Sequence, residues 1–202
     1  MKLFLSSSGL ETKQLETQFL DLVDKPPAEV TLAFIANAAD PYPENNREWV
    51  DNSRETLQRL GIQVEDVDLR EYIDKSPELS LALEKFDVIW VCGGNTFYLR
   101  HVMRESGFDQ VIRPLLEKNK VYVGESAGSI VAGPTLEKFE EADDPLKAKE
   151  VITDGLHLTE TVVIPHWGGD YKPERMKEIK KFYEKSPYKF VTLTDEQALI
   201  IT

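Results

Sequence analysis

The composition of this 202-residue chain is that of a folded protein, with 41% hydrophobic and 30% charged residues, which excludes a disordered chain and a membrane-embedded one. Its 36 acidic and 24 basic side chains leave a net charge of −12. That charge argues against a nucleic-acid-binding surface, because phosphate neutralisation needs clustered Lys and Arg. Cys92 is the only cysteine, so internal disulfides and multi-cysteine metal sites are excluded.

The first ten residues, MKLFLSSSGL, contain only a short apolar run. A secretory signal needs an apolar stretch of about 7–15 residues, and a membrane-spanning helix needs about 18 or more. We therefore expect a cytoplasmic protein with no membrane partner. The sequence does not indicate an oligomeric state.

Strand-like apolar runs alternate with helical patterns along the whole chain. The strand-like runs are residues 2–6, 30–36, 62–69, 86–92, 120–124, 161–164, 189–193 and 197–202. The helical patterns are residues 11–23, 47–60, 77–85, 96–105, 108–118, 126–132 and 173–183. This alternation predicts a single α/β domain over residues 1–202, with a mostly parallel sheet flanked by helices on both faces. We expect the last two strands to form an antiparallel pair at the sheet edge, and the charged segment 139–150 to be an exposed excursion.

A G-x-S-x-G motif, GESAG, occupies residues 124–128, directly between a predicted strand and a predicted helix. Ligands of such sheets bind beyond the carboxyl ends of the strands. A G-x-S-x-G motif there forms a nucleophile elbow, a sharp turn that exposes the serine at the start of the helix. We therefore predict that Ser126 is a nucleophile. The alternative is a serine that only caps the helix between two packing glycines.

A serine nucleophile needs a base, because a neutral hydroxyl reacts poorly. Of the three histidines, His166 follows a predicted strand end, and Gly168 and Gly169 leave room beside it. His101 lies in a predicted helix and His157 lies between two leucines, so a surface or structural role is expected for both. We predict that His166 is the base.

The loop that follows the 86–92 strand begins with Gly93 and Gly94. Glycines at a strand end allow close approach of the backbone, so their N–H groups can face a developing oxyanion. The N–H group of Ala127, next to the serine, supplies the other donor. Asn95 in the same loop is a candidate substrate contact. The alternatives are a simple tight turn before the next helix and a phosphate-binding loop, for which the motif is incomplete.

The acid that orients the histidine has several candidates. They are Asp143, Asp144, Asp170, Asp195 and Glu196. An orienting carboxylate should be buried and fixed, which favours the turn after VTLT over the charged segment. A single cysteine and scattered histidines offer no zinc ligand set, and we expect neither a metal nor a cofactor.

The segments WVCGGNTFYL, VGESAGSIV and VIPHWG, in this order and spacing, resemble the peptidase E family, the S51 group of serine peptidases that includes dipeptidase E and cyanophycinase. The resemblance runs from LFLS near the amino terminus to the closing TDEQALII. It implies a fold related to the class I glutamine amidotransferases, with serine in place of cysteine. It also implies hydrolysis of short peptides through an acyl-enzyme.

The resemblance also implies roles for single residues. Ser126 matches the family nucleophile, His166 its histidine and Gly94 its oxyanion-hole glycine. The family acid lies either in the loop after the elbow helix, where Asp143 matches, or in the last turn. Alignment on the closing ALII strand puts Asp195 at that second position, with Glu196 beside it, and we choose Asp195.

Substrate specificity is where the chain departs from the family pattern. Family members that cleave after an amino-terminal aspartate share an arginine some way past the histidine. That arginine pairs with the substrate carboxylate. Here Lys172 falls at that position, with Arg175 nearby, and lysine cannot form the bidentate fork of arginine. Both residues are candidate substrate contacts, but an aspartyl preference is not implied. The alternative functions are a non-peptide amidase or esterase and a non-catalytic small-molecule binder on the same fold.

Overall fold

Eight β-strands and seven α-helices alternate in the computed structural model, which describes all residues, 1–202. The strands are β1 (Lys2–Ser6), β2 (Thr31–Ile35), β3 (Gln63–Asp66), β4 (Val88–Val91), β5 (Val121–Glu125), β6 (Thr161–Ile164), β7 (Lys189–Thr192) and β8 (Ala198–Ile201). The helices are α1 (Lys13–Val23), α2 (Glu48–Arg59), α3 (Ser76–Glu84), α4 (Thr96–Glu105), α5 (Phe108–Leu116), α6 (Ala127–Val131) and α7 (Pro173–Tyr183). Every predicted strand and helix is present, with ends that differ by a few residues.

The main sheet has six strands in the order β3-β2-β4-β5-β1-β8. The first five strands are parallel, and only β8 runs antiparallel to its neighbour β1. The carboxyl ends of β4, β5 and β1 therefore meet at one edge of the sheet. The loops that begin there carry Gly93, Ser126 and Ser7, which brings three distant parts of the sequence together.

The two faces of the sheet are covered by different helices. Leu3 and Leu5 of β1 pack into a core with residues of α3 to α7, whereas Phe4 packs into a second core with α1 and α2. A strand buried on both faces is apolar throughout, as the VIWV sequence of β4 is. This arrangement confirms the predicted fold class. None of the helices combines the length and the apolar character that crossing a bilayer requires.

The prediction that the last two strands pair with each other is wrong. Strand β7 pairs in parallel with β6 in a separate two-stranded sheet, and β8 pairs with β1 of the main sheet. Strand β1 would otherwise present an open edge of unpaired backbone groups, which β8 covers. A strand's own alternation of residues does not say which distant edge it will cover.

The segment 139–150 is also less exposed than its charges suggest. It contains two 3₁₀ turns, and Phe139 and Asp143 are buried within it. The carboxylate of Asp143 accepts hydrogen bonds from the backbone N–H and the hydroxyl of Thr96, at 2.9 and 2.6 Å. These two bonds offset part of the cost of burying a carboxylate, and burial still raises the pKa of Asp143. Thr96 lies 47 residues away in sequence.

Candidate active site

Ser126 occupies a sharp turn between β5 and α6. Its backbone angles, φ 49° and ψ −106°, lie outside the regions that L-residues favour, and such strain is characteristic of functional turns. The backbone N–H of Ser126 donates to the carbonyl of Ser6, 3.1 Å away. A Cβ on Gly128 would lie 2.2 Å from the carbonyl oxygen of Val91, so only glycine lets α6 approach the sheet this closely. The G-x-S-x-G sequence therefore forms the predicted elbow.

The loop after β4 passes directly beside this elbow. A Cβ on Gly93 would lie 3.1 Å from the Cβ of Ser126. Gly94 has φ +146°, and a Cβ there would lie 2.2 Å from the carbonyl oxygen of Ala38. The backbone N–H groups of Gly94 and Ala127 donate no hydrogen bond within the protein. Two donors thus remain free, one in the loop beside the elbow and one at the start of α6.

His166 joins the elbow to the last turn of the chain. Its Nε2 lies 2.9 Å from the Oγ of Ser126, and its Nδ1 lies 2.7 Å from Oδ1 of Asp195. When Nδ1 carries the proton that is donated to Asp195, Nε2 is left as an acceptor for the Ser126 hydroxyl. The hydrogen bond from His166 is the largest influence on Asp195 and holds the pKa of that carboxyl below its ordinary value.

Ser7, the residue after β1, fixes both members of this pair. Its hydroxyl donates to Oδ1 of Asp195 at 2.7 Å, and its Oγ accepts from the backbone N–H of His166 at 2.7 Å. The N–H of Trp167 donates to the carbonyl of Leu193, 2.9 Å away. The histidine turn and the aspartate turn are therefore held together by three hydrogen bonds in addition to the one between their side chains.

A cavity of about 460 Å³ opens over Ser126. It is lined by Ser7, Ser8, Tyr42, Asn46, Trp49, Gly93, Gly94, Glu125, Ser126, His166, Tyr171 and Lys172. Burial raises the pKa of Tyr42 to about 12 and also raises that of Tyr171, so both phenols remain protonated hydrogen-bond donors near neutral pH. The lining also includes one side-chain carboxyl group, that of Glu125, and one lysine amino group, that of Lys172.

Comparison with known proteins shows the family of this chain. The model of the family described as Peptidase family S51 matches residues 3–202. The chain belongs to peptidase family S51. It is 29% identical over 201 residues to an uncharacterized peptidase of Listeria innocua. The alignment covers 98% of this chain and 91% of that protein. It is also 36% identical over 125 residues to a peptidase E of Shewanella amazonensis, in an alignment that covers 54% of this chain and 49% of that protein.

A solved structure shares the fold over nearly the whole chain. A Listeria monocytogenes protein that is assigned as a peptidase E superimposes with a TM-score of 0.85 at 27% identity, covering 99% of this chain and 93% of the other. The expected membership of the peptidase E family is therefore confirmed, and the protein is a peptidase by family.

In this S51 peptidase, the structure brings together most of the predicted site residues. Ser126, His166 and Asp195 are joined by hydrogen bonds, and the loop of Gly94 adjoins Ser126. Glu196 is exposed, and no hydrogen bond joins the buried Asp143 to His166. Asp143 instead caps α4 through Thr96, so the expectation that it is an exposed carboxylate is wrong.

The other two histidines lie outside the cavity. His101 is buried in α4 with its Nε2 3.2 Å from Glu105, and His157 is exposed with its Nε2 2.8 Å from Asp154. The Nε2 of His157 is hydrogen-bonded to Asp154, whereas neither ring nitrogen of His101 makes a hydrogen bond.

Two of the three predicted substrate contacts do not reach the cavity. Asn95 is buried, caps α4 by accepting from the N–H of Tyr98, and donates to the carbonyl of Asp144. Arg175 is exposed and pairs with Glu141 at 3.0 Å. Closeness in sequence to site residues predicts both contacts. The structure uses Asn95 to cap a helix and Arg175 in a surface ion pair, and neither lines the cavity. Lys172 does line the cavity, and its Nζ donates to the carbonyl of Ala142.

Sequence reasoning missed Ser7 and Glu125. Ser7 directly follows the first strand of a parallel sheet, where ligand-binding loops begin, but a single serine in the run SSSG carries no further signal. Glu125 is the variable residue of the G-x-S-x-G motif and the one charged residue of β5. A carboxylate at the end of an otherwise apolar strand was the available signal.

Proposed function

We propose that this S51 peptidase is a serine-type hydrolase that cleaves short peptides through an acyl-enzyme. The observation that carries the proposal is the unbroken series of hydrogen bonds from Ser126 through His166 to Asp195, at 2.9 and 2.7 Å. A serine, a base and an orienting acid in this order are the parts of a catalytic triad.

In the proposed reaction, Oγ of Ser126 attacks the carbonyl carbon of the scissile bond while its proton passes to Nε2 of His166. The C–N bond then breaks, and the amine leaves with the proton from Nε2. Water then attacks the ester carbonyl and gives a proton to Nε2. The bond between that carbon and Oγ breaks, Oγ takes the proton back from Nε2, and the carboxylic acid product leaves. Asp195 keeps the proton on Nδ1 throughout, and its negative charge stabilises the imidazolium that forms in each step.

The oxyanion of each tetrahedral intermediate needs donors that are not already used. The N–H groups of Gly94 and Ala127 meet this requirement, because neither has an acceptor within the protein. Donors fixed by the surrounding backbone need no reorganisation as charge develops, and the loss of one such donor typically costs about 10²–10³ in kcat. The tight packing of Gly94 against Ala38 supports a fixed donor at this position.

The cavity supports a short substrate. Its volume of about 460 Å³ lies within the range of about 300–1,000 Å³ that is typical of sites for small ligands. A carboxylate and an ammonium line the same space, which suits a substrate that carries both charges, as a dipeptide does. Dipeptidase activity is therefore the form of the proposal that we test first.

The test begins with the nucleophile. A fluorophosphonate should form a covalent adduct at Ser126, located by peptide mass spectrometry, and folded Ser126→Ala should not be labelled. His166→Ala should lower kcat by orders of magnitude, because loss of the base disables the nucleophile. His157→Ala is the matched control and should change kcat by no more than a few-fold. Labelling at another residue, or equal losses in both histidine variants, would contradict the proposed site.

The substrate class is tested with two panels. A library of dipeptides and a panel of non-peptide amides and esters are compared by kcat/KM with the same protein. Preference for dipeptides supports the peptidase proposal, whereas turnover of the second panel alone identifies an amidase or esterase. Absence of both turnover and labelling would identify a non-catalytic binder.

A further inference from the structure

The carboxyl group of Glu125 lies beside the nucleophile without a cationic partner. It is only 4% exposed, yet it lines the cavity over Ser126. The hydroxyl of Ser53 and the indole N–H of Trp90 both donate to Oε2, at 2.8 and 3.3 Å. No hydrogen bond reaches Oε1, and no Lys, Arg or His of the protein pairs with this carboxylate.

Packing does not account for a charged group here. Burying a carboxylate without a cation is costly, and the amide oxygen of a glutamine could accept the same two bonds from Ser53 and Trp90. The negative charge of Glu11 also raises the pKa of this carboxyl and makes its ionisation less favourable still. Ionisation of Glu125 is therefore favoured only when a cationic partner is present, and the protein itself does not supply one.

The position of Glu125 relates it to one part of a substrate. It directly precedes Ser126, and both side chains contribute to the wall of the same cavity. In a substrate, the α-nitrogen lies only two covalent bonds from the carbonyl carbon that Ser126 attacks. The first side-chain carbon of the same residue, Cβ, is also two bonds away. Cationic groups of that residue are thus delivered to the neighbourhood of the elbow.

We propose that Glu125 is a specificity-determining residue that binds a cationic nitrogen on the substrate residue whose carbonyl Ser126 attacks. The cation is either the free α-ammonium of an amino-terminal residue or a basic side chain on that residue. Oε1 is the oxygen that accepts it, since Oε2 is held by Ser53 and Trp90. This inference rests on the proposed function, because it assigns an orientation to the peptide in that site.

The experiment uses pairs of dipeptide substrates that differ only in one charge. The first pair compares a free α-amino group with its desamino analogue, and the second compares lysine with norleucine at the residue that is attacked. The wild-type protein should favour the cationic member of at least one pair by 10- to 100-fold in kcat/KM. The pair that shows the preference identifies the source of the cation.

Glu125→Gln should reduce that preference to less than about three-fold, because kcat/KM falls far more for the cationic member than for the neutral one. Glu125→Asp keeps the charge and should retain part of the preference. Glu55→Gln removes one negative charge from α2, outside the Ser126 cavity, and should leave the preference unchanged. A preference that survives in Glu125→Gln, or that is absent from the wild-type protein, overturns the inference.

Labelling of Ser126 by a fluorophosphonate separates this inference from the proposed function. Labelling of Glu125→Gln at the wild-type rate shows that its elbow is intact, so a lost preference then belongs to substrate binding. If Glu125→Gln is no longer labelled, the residue supports the elbow and the inference is wrong. If the wild-type protein is not labelled and cleaves neither member of any pair, the proposed function fails instead.

Discussion

The Ser7 hydroxyl donates a 2.7 Å hydrogen bond to Oδ1 of Asp195, the same oxygen that accepts from His166. Because the Oγ of Ser7 also accepts from the backbone N–H of His166, one side chain fixes the acid and the base relative to each other. The first strand of the sheet therefore contributes to the site although it carries none of the three proposed catalytic residues.

Ser7→Ala should lower kcat by about ten-fold or more, since a hydrogen bond to a charged group is worth about 1.5–3 kcal/mol. KM should change little, because Ser7 acts through Asp195 and His166. The measurement is kcat and KM on the best dipeptide, together with the rate of Ser126 labelling. Ser186→Ala removes a similar hydroxyl, 3.0 Å from the carbonyl of Tyr183 and outside the site, and should leave kcat unchanged. Equal effects in the two variants would show that Ser7 has no positioning role.

The choice of acid is tested by three carboxylates that the sequence alone left as alternatives. Asp195→Asn should lower kcat by about two to four orders of magnitude, because an amide no longer selects the Nδ1–H tautomer of His166 or stabilises its charged form. Glu196→Gln, which alters an exposed neighbour, should stay within about two-fold of the wild-type kcat.

Asp143→Asn is the informative comparison. Its amide oxygen can still accept from Thr96, so we expect kcat within about ten-fold of wild type. Stability should change little, because the lost charge assistance is offset by relief of the burial that raises the pKa of Asp143. The measurements are kcat and the urea-unfolding midpoint. If Asp143→Asn lowered kcat as far as Asp195→Asn, the acid would not be assigned by the 2.7 Å contact to His166.

The elements that local sequence specifies were predicted, and the contacts between distant segments were not. The elbow follows from the GESAG sequence and its place between β5 and α6, both of which are local properties. The partner of β8 and the burial of Asp143 depend on groups far away in sequence, β1 and Thr96. The charge of its segment predicts that Asp143 is exposed. The structure buries its carboxylate because two donors of Thr96 bind it there.

The same reasoning explains why the choice of Asp195 depended on a resemblance. An aspartate in a turn after a strand is a common pattern, and only the alignment on the ALII strand singled it out. Its contact with His166 is made by β8 docking on β1, which brings the last turn beside Ser7. No periodicity within residues 189–202 contains that information.

Gly94→Ala should be strongly destabilising and should displace the proposed oxyanion donor. An alanine at φ +146° is strained, and its Cβ would lie 2.2 Å from the carbonyl oxygen of Ala38. Gly61→Ala is the matched control, because Gly61 also has a positive φ, +86°, but has nothing within 4 Å of the added Cβ. Strain alone should cost Gly61→Ala about 1–2 kcal/mol, and the clash should cost Gly94→Ala a further ~1–3 kcal/mol.

Urea unfolding measures both glycine variants, and kcat is measured under conditions where each remains folded. Gly94→Ala should lose kcat in its folded fraction, and Gly61→Ala should not. Similar unfolding free energies for the two variants would mean that the loop at Gly94 moves freely, which would argue against a preformed oxyanion donor.

Lys172 and Arg175 are separated by the structure and should behave differently. Lys172→Met should raise KM about ten-fold for substrates with a free carboxylate, since the ammonium lines the cavity and a charge-assisted hydrogen bond is worth about 1.5–3 kcal/mol. The carboxamide forms of the same substrates should be nearly unaffected. Arg175→Met should change neither KM, because that guanidinium pairs with Glu141 on the surface. An equal rise for acid and amide substrates would mean that Lys172 shapes the wall without reading charge.

The free energy of unfolding should depend on pH through the ionisation of Glu125. Burial is the largest influence on this carboxyl and raises its pKa from 4.5 to about 7, against the smaller opposing effects of the hydrogen bonds from Ser53 and Trp90. The groups that face it are Ser53 of α2, Trp90 of β4, Cys92 directly after β4, and Glu11 of the loop after β1. None of them is a cation, so ionisation of Glu125 in the folded state is uncompensated.

The sign of the effect follows from proton binding. Between about pH 4.5 and 7 the folded state holds this proton and the unfolded chain has released it, so the contribution to stability falls as pH rises through that window. Glu125→Gln has no charge to bury and should be more stable than the wild type at pH 8, by up to about 3 kcal/mol. At pH 4.5 the difference should nearly vanish. Urea unfolding at both pH values measures it, and a difference that does not depend on pH would mean that Glu125 is not buried as an uncompensated acid.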